Sequence, residues 1–230
     1  MKLCGLQKTT LLDYPGKVAC TVFTGGCNFR CPFCQNAGLV VDLSETEEIS
    51  TDAFFSFLKK RKGILDGVCV SGGEPLLQPD IFDFLREIKV LGYSVKLDTN
   101  GAYPEKLKKA VDEKLVDCVA MDIKNSLKKY PQTVGIENFD VAPIIESVEF
   151  LKSGVVDFEF RTTVVKDFHE KSDFYEIGEW LKGAPKYFLQ CFIDSEDVIC
   201  KGLSSPDKTD LEQYAQIMAQ YCGKVDIRGI

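Results

Sequence analysis

Cys27-Asn28-Phe29-Arg30-Cys31-Pro32-Phe33-Cys34 places three thiols within eight residues, spaced C-x3-C-x2-C. The stretch directly follows an apolar run, residues 19–23, and the pair Gly25-Gly26. Thiolates this close in sequence can share one inorganic centre. A cubane iron–sulfur cluster takes four cysteines, one per iron. Three cysteines leave one iron without a protein ligand, and an open coordination position distinguishes a reactive metal site from a structural one. The spacing therefore predicts a 4Fe–4S cluster on Cys27, Cys31 and Cys34, with one iron free to bind a substrate or cofactor. The competing reading is a zinc knuckle completed by Cys20 or another donor.

Composition narrows the setting. The chain has 230 residues, 45% of them apolar and 27% charged, as in an ordinary soluble globular protein with a sizeable core. A net charge of −7 argues against a protein that coats nucleic acid. No apolar run is long enough for a signal peptide or a membrane span, so the ten cysteines are expected to be thiols in a reducing cytoplasm rather than a disulfide framework. Cys4, Cys20, Cys69, Cys118, Cys191, Cys200 and Cys222 stand singly and read as small packing residues. The single histidine, His169, sits in a polar connection and reads as a solvated loop residue.

Outward from the cysteines, strands and helices alternate. Asp13-Tyr14-Pro15-Gly16 suits a type II turn leading into a first strand over 18–24. The cysteines follow in a loop made flexible by Gly25 and Gly26. Residues 44–50 are polar and acidic, and read as a solvated connection. Apolar spacing, glycine stops and proline starts predict helices over 51–62, 80–91, 104–114, 141–152 and 173–181. A last helix opens at Ser205-Pro206 and runs to Tyr221. Strands are expected over 66–70, 93–97, 117–123, 157–165 and 187–193, with a short one over 225–227. This alternation means β-α units, a parallel sheet and one domain over 1–230, with the cysteine loop at about 25–38. Six or seven units fit, somewhat short of the eight of a closed barrel. Ligands of such folds bind at the C-terminal strand ends, where Cys27, Glu74, Asp98 and Asp122 fall.

The cysteine spacing, with aromatic Phe33 before the third thiol, resembles the radical S-adenosylmethionine (SAM) superfamily. So does Ser71-Gly72-Gly73-Glu74-Pro75 after the strand-like Gly67-Val68-Cys69-Val70. The resemblance implies an open, partial (β/α)6-type barrel in which SAM chelates the bare iron through its amino and carboxylate groups. One-electron reduction then cleaves SAM to methionine and a 5′-deoxyadenosyl radical, which takes a hydrogen atom from the target. The protein supplies positioning, and no catalytic side chain beyond cluster and SAM is implied. Gly72, Gly73 and Glu74 would engage the amino-acid end of SAM, with the Glu74 carboxylate accepting from its ammonium.

Leu97-Asp98-Thr99-Asn100-Gly101 and Met121-Asp122-Ile123-Lys124 resemble segments of the glycyl-radical-enzyme activases. That likeness implies Asp98 at the ribose or a nearby cation, and Lys124 at the SAM carboxylate. It also implies a monovalent cation on Asp98, Thr99 and Asp122. Arg161 could reach the same carboxylate from the next strand. The N-terminal stretch from Gly5 to Cys20, and Cys34-Gln35-Asn36, resemble anaerobic ribonucleoside-triphosphate reductase activating proteins. The implied partners are a glycyl radical enzyme, such as an anaerobic ribonucleotide reductase, and a low-potential electron donor such as flavodoxin or ferredoxin. The alternatives are a radical SAM enzyme acting on a small molecule or another peptide, and a non-catalytic iron–sulfur or zinc module.

Overall fold

The computed structural model describes residues 1–41, 43 and 46–229. Eight strands form one sheet in unbroken chain order: β1 (Leu3–Thr10), β2 (Ala19–Thr24), β3 (Gly67–Gly72), β4 (Ser94–Thr99), β5 (Cys118–Asp122), β6 (Asp157–Val164), β7 (Lys186–Cys191) and β8 (Lys224–Arg228). β1 runs antiparallel to β2, and every later pair is parallel. Right-handed crossovers in an order that never reverses put the helices on one face of a curling sheet. β1 and β8 remain opposite edges, so the barrel is open.

The helices are α1 (Ala37–Val40), α2 (Thr51–Lys60), α3 (Ile81–Val90), α4 (Pro104–Asp112), α5 (Tyr130–Val134), α6 (Ala142–Lys152), α7 (Lys171–Leu181) and α8 (Lys208–Met218). Each long helix buries one stripe, such as Ile81, Phe84, Leu85 and Ile88 of α3. The strands alternate accordingly. Val95 and Leu97 of β4 join the apolar core with Phe158 and Phe160 of β6. The intervening Lys96, Asp98 and Arg161 are joined to one another on the concave side, and Asp98 and Arg161 line the cavity there. The apolar core thus lies between sheet and helices, and the polar chemistry lies inside the curl.

Most expected elements are present, with ends displaced by a few residues. The Pro15-Gly16 turn is closed by Lys17 N–H donating to the Tyr14 carbonyl at 3.1 Å, with Gly16 at φ 79°. Among the described residues, the edge strand β1 and the short helices α1 and α5 were not expected. The last helix opens later than expected, at Lys208. The preceding residues are held in an irregular path by Lys166 N–H on the Ser204 carbonyl and Ser204 N–H on Asp167 Oδ2. Of the expected polar connection 44–50, Ser44 and Glu45 lie outside the described residues. Its end is pinned by Ile49, which bridges to Leu3. Gly25 and Gly26 also act otherwise than expected. A Cβ on Gly25 would meet Cys4 Sγ at 2.6 Å, and Gly26 sits at φ 89°. Both permit close packing rather than looseness.

Candidate active site

The cysteine loop leaves β2 and is held from three sides. Gly26 N–H donates to the Leu39 carbonyl at 2.7 Å. Arg30 N–H donates to the Val134 carbonyl at 2.9 Å, which ties the loop to α5. The Arg30 guanidinium folds back onto the carbonyls of Cys27 and Phe29, both at 2.7 Å. Phe29, Cys31 and Phe33 are buried, and Phe33 packs against Phe168 at 5.6 Å between ring centroids. Cys27 Sγ accepts from the Phe29 N–H at 3.3 Å and from Asn100 Nδ2 at 3.7 Å. Burial pushes the Cys27 thiol up to about 11 and the Cys31 thiol up to about 12. Deprotonated sulfur is favoured there only if a metal cation takes the proton's place.

Gly72-Gly73-Glu74 packs directly onto this loop. Gly73 N–H donates to the Thr24 carbonyl and Glu74 N–H to the Gly26 carbonyl, both at 2.9 Å. A Cβ on Gly73 would lie 2.0 Å from the Gly26 oxygen, so only glycine fits. The Glu74 side chain is fully buried and fully engaged. It accepts from Leu76 N–H at 3.0 Å, Thr99 Oγ1 at 2.9 Å and Asn100 N–H at 2.7 Å. Burial pushes its carboxyl up to about 7, against the pull of those three donors. It stitches the end of β3 to the end of β4 and does not line the cavity described next.

A cavity of about 400 Å³ opens at the C-terminal strand ends. Cys31, Phe33 and Cys34 form one wall, Gly72 and Gly73 another, and Asp98, Thr99, Asp122, Lys124 and Arg161 the charged part. Those charges belong to a line of alternating sign. Lys124 Nζ meets Asp122 at 3.0 Å, and Arg161 bridges Asp122 at 3.0 Å and Asp98 at 3.2 Å. Lys96 Nζ meets Asp98 at 2.8 Å and Glu159 at 3.7 Å, and Arg228 meets Glu159 at 3.1 Å. Burial opposes charge on Asp98, but the Arg161 guanidinium and Lys96 ammonium overcome it and hold the carboxyl well below its usual range. Asp122 is lowered in the same way by Lys124 and Arg161, against burial.

A four-iron cluster takes one thiolate per iron, so its ligands need not converge on a single ion position. Two of the three loop thiols face the cavity and the third accepts two N–H donors, a set that fits the cluster.

The radical SAM superfamily model matches residues 21–181, which include both the cysteine loop and the Gly72–Glu74 turn. The chain is a radical SAM enzyme. A Methanocaldococcus jannaschii protein, provisionally named a glycyl-radical enzyme activating enzyme, is 32% identical over 98% of this chain and 95% of its own length. This places the radical SAM chain in the glycyl-radical-enzyme activating group. The pyruvate formate-lyase-activating enzyme of Listeria monocytogenes is 31% identical, over 61% of this chain and 59% of its own. Solved structures share the radical SAM fold at lower identity. A domain of the Bacteroides vulgatus pyruvate-formate lyase-activating enzyme superposes at TM-score 0.57, with 20% identity, over 71% of this chain and 99% of that one. SuiB of Streptococcus suis bound to S-adenosylmethionine superposes at TM-score 0.67, with 13% identity, over 90% and 51%.

Several residues of this radical SAM site were not singled out from sequence. Asn100 touches both Cys27 Sγ and Asn28 Oδ1, and Ser71 Oγ donates to Asp98 at 3.1 Å. Both lie inside stretches quoted for their neighbours, so motif position was the available signal. Asp13 lines the cavity from the turn already read as type II, and Phe23, Thr163 and Gln190 line it from strands. His169 corrects an expectation: it is buried at 3% exposure, because Phe33 and Phe174 pack against its ring. Cys20, Cys69, Cys118 and Cys222 are buried as expected of packing residues, Cys4 and Cys191 are half-buried, and Cys200 is exposed.

Proposed function

We propose that Cys27, Cys31 and Cys34 hold the 4Fe–4S cluster, that the adjoining cavity holds SAM, and that the hydrogen atom is taken from a glycine Cα of an anaerobic ribonucleotide reductase or a relative. The observation that carries this reading is the meeting of two things in one cavity: thiols of the cysteine loop and a charged group able to seat a zwitterionic ligand. When bound, the cluster supplies one electron, and SAM, on accepting it, supplies the radical that removes the hydrogen atom. The chain's own residues bind, orient and exclude water. The N–H groups of Phe29 and Asn100 stabilise negative charge on Cys27 sulfur. Gly72 and Gly73 present main chain to the cavity, and their missing side chains leave room for Thr24 and Gly26 at the junction with the cysteine loop. Lys124 and Arg161 present cationic donors to the SAM carboxylate, and Asp98 and Thr99 present acceptors to the ribose hydroxyls. Glu74 supports this site by fixing its walls rather than by touching SAM.

The cavity lies at the small end of the range that holds one small ligand. The N-terminal stretch from Gly5 to Cys20 supports the ribonucleotide reductase among possible partners. Flavodoxin or ferredoxin would supply the electron, in a reducing cytoplasm that suits a chain of free thiols. No helix among the described residues is long and apolar enough to cross a membrane. A monovalent cation on Asp98, Thr99 and Asp122 would compete with the Arg161 guanidinium, which already bridges both acids. A potassium titration of SAM affinity reads that competition directly.

Mixing the reduced, SAM-loaded enzyme with a candidate ribonucleotide reductase is expected to give a glycyl doublet by electron paramagnetic resonance. SAM cleavage with no doublet would reject the partner. Turnover of a metabolite without any protein partner would favour the small-molecule alternative.

A further inference from the structure

His169 lies just past the end of β6, where the chain turns toward α7. Its ring contacts three parts of the site's surroundings. Nε2 is 2.9 Å from the Lys124 carbonyl, which can only accept. Nδ1 lies 3.1 Å from both the N–H and the carbonyl of Val165, but that carbonyl already accepts from the His169 main-chain N–H at 3.0 Å, so Nε2 carries the proton and Nδ1 accepts from Val165 N–H. The ring face meets Phe33 of the cysteine loop at 6.4 Å and Phe174 of α7 at 6.0 Å between centroids. Lys124 and Val165 are each just beyond the end of a strand, where the ladder no longer fixes the chain. The imidazole spans that gap, with Phe33 of the cysteine loop against one part of its ring.

We propose that His169 is a positioning residue. Its imidazole holds the Lys124 main chain in register with the cysteine loop, so that the Lys124 ammonium presents to the SAM carboxylate. This rests on the reading that Lys124 meets SAM, and the two are separable by experiment. The remaining partners of Lys124 are weaker constraints. Its own N–H lies 3.4 Å from the Tyr130 hydroxyl, and its ammonium reaches Asp122 at 3.0 Å. Neither acts on the carbonyl. The neighbours are held, Ile123 by Arg161 and Thr162, and Asn125 by Phe168, so losing the imidazole releases the Lys124 carbonyl between two fixed residues.

The two ring nitrogens can be replaced one at a time. An asparagine amide falls near Nδ1 and keeps the Val165 bond, whereas a glutamine amide falls near Nε2 and keeps the Lys124 bond. SAM affinity is measured on the anaerobically reconstituted enzyme for wild type, Lys124→Met, His169→Asn, His169→Gln and the double variant Lys124→Met/His169→Asn. The expected result is a roughly tenfold weaker affinity for His169→Asn, and an affinity within about twofold of wild type for His169→Gln. In the Lys124→Met background the asparagine change is expected to have no further effect, because a residue acting through another is non-additive with it. Additive losses in the double variant, or equal losses in Asn and Gln variants, overturn the proposal. An unchanged affinity in Lys124→Met overturns the underlying reading of the site instead. A second measurement needs no variant. The chain has one histidine, so its imidazole nitrogen resonances are unambiguous. A neutral Nε2–H tautomer at pH 7 is expected, and an Nδ1–H tautomer or a charged ring contradicts the geometry.

Discussion

At Glu74 three donors meet one buried carboxylate, and no other side chain offers that pattern of acceptors. Glu74→Gln keeps the shape but turns an amide N–H₂ toward a donor. It is expected to cost about 1–3 kcal/mol in urea unfolding, with a matching loosening of the β3 and β4 ends. The cysteines separate in the same residue-by-residue way. Alanine at Cys27, Cys31 or Cys34 is expected to abolish stoichiometric iron after reconstitution, while Cys69→Ala, on a buried strand, retains it. Elemental analysis of iron and acid-labile sulfide checks both. His169 adds a pH dependence. Burial lowers the pKa of the folded imidazole below its ordinary value of 6.5, against its two main-chain hydrogen bonds. The unfolded chain therefore takes up the proton first as pH falls, and stability present above 6.5 is lost below it. Guanidinium melts at pH 7 and about pH 5 are expected to show a smaller acid loss in His169→Gln than in wild type. The thiol spacing and the glycines were legible because such motifs are local. The burial of His169 was not, because Phe33 and Phe174, far away in sequence, create it.

Among the elements, the tightest junction is between the cysteine loop and the turn after β3. Gly73→Ala would drive a Cβ onto the Gly26 carbonyl, and Gly72→Ala would strain a φ of 119° against Thr24. Either alanine is expected to lower both iron content and melting temperature, and a variant with wild-type iron loading and melting would show the junction to be dispensable. The parallel strands and long helices were legible from period and punctuation, because each buries one consistent face. β1 was not. It is a half-exposed edge strand with a glycine inside it, so its side chains show no clean alternation. Nor was α5, whose five residues are too few to show a period. Its role comes from tertiary contact, since Val134 and Gly135 close on Arg30 in the cysteine loop.

Across the whole molecule the sheet gives one face to apolar packing and the other to a line of charges that ends in the cavity. Lys96 is the centre of that line, fully buried between Asp98 and Glu159. Lys96→Met would leave two buried acids short of a partner, and is expected to cost about 3–5 kcal/mol of folding free energy. Chemical denaturation would show this, and a change under 1 kcal/mol would mean that Arg161 and Arg228 carry the pairing alone. This line was only partly legible. Asp98 and Asp122 came from strand ends and Arg161 from the strand beside them, whereas Lys96 and Glu159 lie within strands and meet only when the sheet curls. The central claim, that this enzyme takes hydrogen from a glycine Cα, is tested most directly with a candidate glycyl radical enzyme whose glycines are deuterated at Cα. After reduction with SAM present, the released 5′-deoxyadenosine is expected to carry one deuterium by mass spectrometry. Unlabelled 5′-deoxyadenosine, formed in step with SAM cleavage while the partner is bound, would contradict it.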